Sequence, residues 1–462
     1  MQEGGAAVRA AGGRARLIFG IAFGSAIVGL LAACVHNADS APMVSTRGVN
    51  PKPVVLVRPP RAPLTYVAQL GRDLFFDTRL SQSGKSSCAT CHAPDRAYAA
   101  PVDADTASRM VPSLRYLERI PRFHIGPDAG DVDDSPTAAL TNPSARVGSD
   151  TRNEKIAGTA TNAAALTPSG GLFWDGRVTT LQAQAMVPLF NPSEMGNKSE
   201  ASLAARVRSL YGPRLIELFG AETVAPDDRL LAEATFAITR FELEDSTFHP
   251  YDSKYDAYLE GRATLTPAEA RGLTLFENPK KGNCAACHLD RPTADGLPPA
   301  FSDFEYEALG VPRKIRVPSH DSAARDLGVC GPTRTDLSAE KQFCGMFRTP
   351  SLRNVATRKA FFHNGTARTL DEVLQFYVFR DVQPERVYPR DAAGRVEKFN
   401  DLPRRYHANI DSTDAPFDRK LGQAPVLTTQ EMADVVAFLR TLTDGYGSGA
   451  TRAAVTPEAS GR

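Results

Sequence analysis

Apolar positions along the chain fall into three patterns. From Leu17 to Leu31 they run without a charge, behind a basic stretch that carries Arg9, Arg14 and Arg16. That run is short for a membrane span and reads as an export signal occupying residues 1–33. In the body of the chain the pattern is helical. Thr266-Pro267-Ala268-Glu269 supplies an N-cap, a proline at N1 and a glutamate at N3 ahead of an apolar run. Thr429-Gln430-Glu431 opens a second amphipathic helix from Met432 to Leu442. Residues 34–63 are proline-rich and polar and read as a tether; residues 446–462 read as a disordered tail. The 34 prolines and 35 glycines predict long loops between the helices.

Composition adds limits. A chain of 462 residues permits two domains, and 42% hydrophobic residues suffice for real cores. The formal net charge is +1, and nothing in its distribution points to nucleic acid. Leu31-Ala32-Ala33-Cys34 resembles the signal box of bacterial lipoproteins, with small residues before the cut and a thiol to take the lipid. Val35, where an aspartate would favour inner-membrane retention, points to an outer-membrane anchor. The alternative is an ordinary signal peptide with an incidental cysteine. Of the seven cysteines, Cys330 and Cys344 stand apart from any motif. In an oxidising periplasm they are a candidate disulfide, with two free thiols as the alternative.

The remaining four cysteines carry the chemistry. Cys88-Ala89-Thr90-Cys91-His92 and Cys284-Ala285-Ala286-Cys287-His288 are both C-x-x-C-H, the attachment pattern for haem c. Two thiols add to the two vinyl groups of one macrocycle, and the next residue places an imidazole at the iron. A redox dithiol would need a βαβ context, and a zinc site would need further paired ligands; neither is present. The motifs predict two covalent haems, with His92 and His288 as metal ligands.

The motifs lie 196 residues apart, and other segments repeat with them. Gly71 to Phe75 and Gly272 to Phe276 share G-x-x-L-F ahead of each motif. Phe173-Trp174-Asp175-Gly176 with Thr180-Leu181 parallels Phe362-His363-Asn364-Gly365 with Thr369-Leu370. Twelve residues after the two glycines stand Pro188 and Tyr377. A phenolate ligates Fe(III), whereas proline has no ligating side chain. On this register one iron is capped and the other open, unless Tyr377 is only a core aromatic.

With these blocks in view, the sequence resembles the bacterial di-haem cytochrome c peroxidase family, including its MauG-type members, from about residue 64 to 443. Leu70-Gly71-Arg72-Asp73-Leu74-Phe75-Phe76, Asn191-Pro192-Ser193-Glu194-Met195-Gly196, Phe347-Arg348-Thr349-Pro350-Ser351-Leu352-Arg353-Asn354 and Ala437-Phe438-Leu439-Arg440-Thr441-Leu442 carry the likeness, beside the W-D-G-R block. The resemblance implies a mainly α fold of two cytochrome c-like haem domains in tandem with long loops, a peroxide-reactive one over 64–245 and an electron-transfer one over 246–445. It implies that Trp174, the single tryptophan, relays electrons between haems. It places Gln184, Pro188 and Glu194 around the open haem, and Tyr377 on the second iron as in MauG-type enzymes. From the residues alone, Glu194 could instead be a helix-capping carboxylate.

Two departures stand out. No histidine that would cap the first haem precedes Trp174 in the matching segment; His124 is the nearest, in a different context. The stretch from Gly130 to Gly171 is longer and looser than the family pattern, which leaves the family's calcium site open; Asp131, Asp133 and Asp134 are either a cation site or a solvated acidic loop. Three functions compete. The first is a peroxidase that reduces hydrogen peroxide with electrons from a small c-type cytochrome or cupredoxin. The second is a MauG-like enzyme that oxidises a Tyr or Trp of a partner protein, and the third an electron-transfer cytochrome.

Overall fold

The computed structural model describes residues 48–100, 109–126, 167–314 and 325–447. The segment read as an export signal, Cys34, Asp131, Asp133, Asp134 and residues 448–462 lie outside the described residues. In chain order the helices are α1 (Tyr66–Phe76), α2 (Cys88–Cys91), α3 (Leu181–Phe190), α4 (Glu200–Phe219), α5 (Ala221–Val224), α6 (Asp227–Glu244), α7 (Lys254–Leu259), α8 (Pro267–Glu277), α9 (Leu370–Phe379) and α10 (Thr429–Arg440). Two short antiparallel pairs, His124–Ile125 with Pro168–Ser169 and Tyr306–Glu307 with Phe347–Arg348, are the β-ladders among the described residues. None of the described helices is long and apolar enough to cross a membrane.

Two apolar cores organise these helices. One gathers Leu70, Leu74 and Phe75 of α1, Leu203 and Val207 of α4, and Leu230, Ile238 and Phe241 of α6. The other gathers Leu273 and Phe276 of α8, Leu374 and Val378 of α9, and Val435, Phe438 and Leu439 of α10. The G-x-x-L-F repeat explains the likeness. A Cβ on Gly71 would lie 1.8 Å from the Ala237 carbonyl oxygen, and one on Gly272 would lie 2.0 Å from that of Asp434. In each half, therefore, a helix crosses its partner backbone to backbone, and only glycine permits that approach. Gly272→Ala is expected to destabilise the second half by about 1–3 kcal/mol through overpacking, measured by urea unfolding.

Helices α1, α8 and α10 start on side-chain caps. Thr65 accepts from the Ala68 N–H. Thr266 and Glu269 form a capping box with Pro267 at the first position, and Thr428 with Glu431 forms another at α10.

The predicted tether needs correction. From residue 48 onward it is packed on the second core. The Val54 N–H donates to the Leu259 carbonyl (2.9 Å) and the Val57 N–H to that of Gly296 (2.8 Å). Leu56 is buried in the second core. Arg58 holds Glu260 through two nitrogens at 2.6 and 2.8 Å. An extended segment whose partners lie some two hundred residues away has no local periodicity to announce it, so composition alone reads it as linker.

Within the second half, Asp256 and Arg353 form a bidentate pair at 2.7 and 2.9 Å with both side chains essentially inaccessible. The halves meet through further polar contacts. The Tyr306 hydroxyl donates to the Gly170 carbonyl (2.8 Å), and the Met110 N–H to that of His363 (2.7 Å).

Candidate functional site

Both C-x-x-C-H motifs fold into a single tight turn. Cys88–Cys91 is capped by reciprocal Ser87 and Thr90 bonds, and Cys284–Ala286 is a 3-10 turn. In each, the histidine N–H donates to the carbonyl of the first cysteine at 2.8 Å. Both imidazoles are then oriented alike: Nδ1 of His92 meets the Tyr98 carbonyl at 3.1 Å, and Nδ1 of His288 meets that of Phe301 at 3.0 Å. A carbonyl can only accept, so Nδ1 carries the proton and Nε2 is left as the ligating lone pair. Burial pushes both imidazoles down to about 4, which keeps them neutral at pH 7. Cys88, Cys91, Cys284 and Cys287 form no disulfide, whereas Cys330 and Cys344 are joined by one.

A cavity of about 640 Å³ opens beside the second motif, lined by Cys284, Cys287, His288, Tyr377, Trp174 and apolar side chains. Arg348 and Arg358 line both this cavity and a smaller cleft that Trp174 also borders. Burial depresses the pKa of each, that of Arg358 to about 10, and neither has a carboxylate partner among the described residues. Two desolvated cations at the edge of an apolar slot suit the two propionates of a haem, as the two thiols and the oriented imidazole suit its vinyls and iron. The residues fit the group.

The repeat that sets Pro188 against Tyr377 is a real structural equivalence. Leu172 bridges Val178 and Phe361 bridges Ala367. Phe173 and Phe362 both sit at positive φ, 64° and 63°, as do Gly176 and Gly365, 64° and 68°. Thr180 caps α3 and Thr369 caps α9. Pro188 and Tyr377 therefore occupy one position on matching helices. Tyr377 faces the cavity, stacked on Phe417 at 5.4 Å. Burial raises its phenol, and the charges of Cys284 and Cys287 are felt there; only a cation in the cavity would draw off that proton. Pro188 interrupts α3 and supplies no ligand.

Glu194 lies on the turn after α3, where the Met195 N–H returns to the Pro188 carbonyl (3.2 Å). Its Oε1 accepts from Asn191 Nδ2 at 2.5 Å, and it caps none of the described helices. Its surface is open in the protein framework alone, yet its carboxyl is desolvated enough for burial to raise its pKa, with Arg177 opposing. The charge of Glu194 is felt at both Cys88 and Cys91, so it lies near the first motif. Gln184 is buried on α3, one turn before Pro188.

Trp174 is fixed from several sides. Its Nε1–H donates to the Met110 carbonyl at 2.7 Å, and its own carbonyl accepts from the Arg348 N–H at 3.0 Å. The adjacent Asp175, wholly buried, holds Arg109 (2.6 Å) and Arg177 (2.8 Å). Arg109 continues to Asp326 at 2.6 and 2.7 Å. Sequence reasoning missed Arg109, Met110, Asp326 and the role of Arg348. Only Arg348 had a signal, its place in the Phe347–Asn354 block. His363, the repeat counterpart of Trp174, stacks on Phe347 at 3.6 Å and approaches Asp401 at 3.4 Å.

His124 sits on the first β-pair with Nδ1 3.0 Å from the Arg122 carbonyl, and lines neither the cavity nor the cleft. Among the described residues no cluster of three or more His, Cys, Asp or Glu side chains is arranged to hold a metal ion.

Comparison with known proteins agrees with this geometry. A family model described as di-haem cytochrome c peroxidase matches residues 66–264. The methylamine utilization protein MauG of Paracoccus denitrificans is 29% identical over 404 residues, covering 82% of this chain and 88% of that protein. The cytochrome c551 peroxidase of Nitrosomonas europaea is 27% identical over 352 residues, covering 75% and 82%. The crystal structure of the diheme peroxidase BthA from Burkholderia thailandensis is similar with a TM-score of 0.69 and 34% identity, over 87% of this chain and 92% of that one.

Proposed function

Because the chain belongs to the di-haem cytochrome c peroxidase and MauG family, we propose that it reduces hydrogen peroxide to water at the first motif and takes the electrons, by way of the second, from a small c-type cytochrome or cupredoxin. What carries this reading is the inequality of one repeat position, proline on α3 and tyrosine on α9. Cys88, Cys91 and His92 would hold one haem; Cys284, Cys287, His288 and Tyr377 would hold the other. When bound, the two haems supply an iron open to peroxide and a second redox centre that stores charge.

The protein's own part follows. Glu194 takes the proton of one peroxide oxygen and delivers it to the other, work suited to a carboxyl whose pKa burial raises above the ordinary value. Gln184 donates or accepts one hydrogen bond and so orients peroxide. Pro188 keeps the distal side clear of a ligand. Trp174, held by Met110 and bordering the cavity, joins the two redox centres. The export signal and the box ending at Cys34 support a periplasmic enzyme tied by lipid to the outer membrane. Calcium has no support among the described residues.

The deciding experiment is spectroscopy of the ferric holoprotein before and after one equivalent of peroxide. One haem is expected to respond and its neighbour to start six-coordinate; two identically saturated haems that ignore peroxide would overturn the reading. Tyr377→Phe is expected to abolish the phenolate signature of the second haem in optical and electron paramagnetic resonance spectra, and to leave the first haem's signature in place.

A second reading has one observation in its favour. Tyr377 is the MauG-type choice, and a MauG is among the relatives. On that reading the oxidising equivalents leave through a Tyr or Trp of a partner protein. Peptide mapping of a candidate partner after peroxide treatment separates the two.

A further inference from the structure

Where the halves meet, two tyrosines form a buried pair that the peroxide chemistry above leaves unused. The rings of Tyr116 and Tyr251 lie 4.6 Å apart, and both side chains are shut off from solvent. Each phenol donates to a buried carboxylate: Tyr116 to Asp444 Oδ2 at 2.5 Å, and Tyr251 to Glu118 Oε1 at 2.7 Å. Tyr116 borders the same small cleft as Trp174, together with Pro112 and Pro350. The backbone at Pro112 acts on His92 and that at Pro350 on His288, so the cleft lies close to both motif histidines.

The surroundings restrict what these phenols can do. Burial raises both well above ordinary tyrosine, so neither ionises by itself. Arg353 lies over both rings, 5.1 and 4.8 Å from their centres. A positive charge there disfavours a ring that has lost an electron and kept its proton. Electron and proton must therefore leave together, and the carboxylates stand at the atoms from which the protons depart. Burial raises the pKa of Asp444, with Arg115 opposing, and that of Glu118, with Tyr251 opposing. A desolvated carboxylate is a stronger proton acceptor than a solvated one.

We propose that Tyr116 and Tyr251 form an internal redox relay that draws oxidising equivalents off Trp174 when no external donor is docked. The relay rests on the peroxidase reading, since hydrogen peroxide is the oxidant. In the first step one electron passes from the Tyr116 ring to the one-electron-oxidised indole of Trp174, and the Oη proton moves to Asp444. Trp174 is restored, and a neutral tyrosyl radical and a protonated Asp444 remain. In the second step Tyr251 gives its electron to the Tyr116 radical and its proton to Glu118, while Asp444 returns its proton to Tyr116. A one-electron donor, such as a small redox protein, finally reduces the Tyr251 radical as Glu118 returns its proton.

The test uses the full di-haem protein, frozen at intervals after one equivalent of peroxide without donor. Electron paramagnetic resonance is expected to show a neutral tyrosyl radical. Tyr116→Phe is expected to remove it, and Tyr251→Phe to confine it to position 116. 3-Fluorotyrosine placed at 116 or 251 preserves the packing and should add fluorine splitting to the signal. If the haem bands respond to peroxide but neither the phenylalanine nor the fluorotyrosine variants change the radical spectrum, the relay is wrong and the peroxidase reading stands. If the haem bands ignore peroxide, both fall together.

Discussion

Replacing Glu194 with glutamine is expected to slow the peroxide step by about 10²- to 10⁴-fold, the usual contribution of a positioned general acid–base. The change is nearly isosteric. Asn191 Nδ2 still finds the remaining amide oxygen where it now meets Oε1 at 2.5 Å, and the turn is held by the backbone bond from Met195 to Pro188. Loss of rate would then report loss of the proton carrier and not loss of the turn. The pH profile gives an independent check. Burial raises the Glu194 pKa, so the base form is present above that raised value and lost as pH falls through it. The acid limb of the wild-type rate should therefore lie above the pH at which a free glutamate titrates, about 4.3, and should disappear in the variant. Stopped-flow kinetics of the haem bands across pH measures both. Unchanged rates would remove Glu194 from the chemistry.

The largest stability effect is expected at Asp256→Asn. Asp256 and Arg353 are among the most deeply buried charges in the protein. Ser253 also gives Asp256 its hydroxyl at 2.7 Å, and Arg353 also donates to the Pro299 carbonyl at 2.7 Å. Desolvation alone would raise the Asp256 pKa, but the Arg353 charge prevails and holds it below the ordinary value. Asparagine leaves the buried guanidinium without its directly paired carboxylate, at a cost of about 3–5 kcal/mol. Pairing it with Arg353→Met should recover much of that loss, because removing both charges also removes the cost of desolvating them. The same pair sets a pH dependence. Its contribution is complete above about 3.9, the value for unfolded aspartate, and is lost as pH falls through the lower folded-state value. Urea unfolding followed by circular dichroism at several pH values measures each of these.

Much of this was legible in the residues because it is local. A C-x-x-C-H turn, a threonine cap with its glutamate and a glycine at a helix crossing are specified within a few positions. The F-W-D-G and F-H-N-G blocks were enough to align Pro188 with Tyr377, and the bridges at Leu172 and Phe361 give that alignment its geometry. What could not be read is long-range. The bond from Trp174 to the Met110 carbonyl spans a segment with no periodicity of its own. Asp326, which steadies Arg109, lies far downstream of it. Arg348 stood inside a quoted block, but its use depends on the cavity it faces. The tether was misjudged for the same reason, since its partners at Leu259 and Gly296 are remote.

That strap also bears on the order in which the chain can fold. Asn50 is made 209 positions before Leu259, to whose carbonyl its side chain donates. It leaves the ribosome, and crosses any export channel, well before its docking site exists. The first core, which draws on residues 70–248, can close while the strap is still loose; the second, which includes Leu56, cannot. Contacts of such separation form late, because the loop entropy must be overcome before they stabilise anything. Assembly therefore runs from the front half to the back, with an early segment closing over residues made some two hundred positions later.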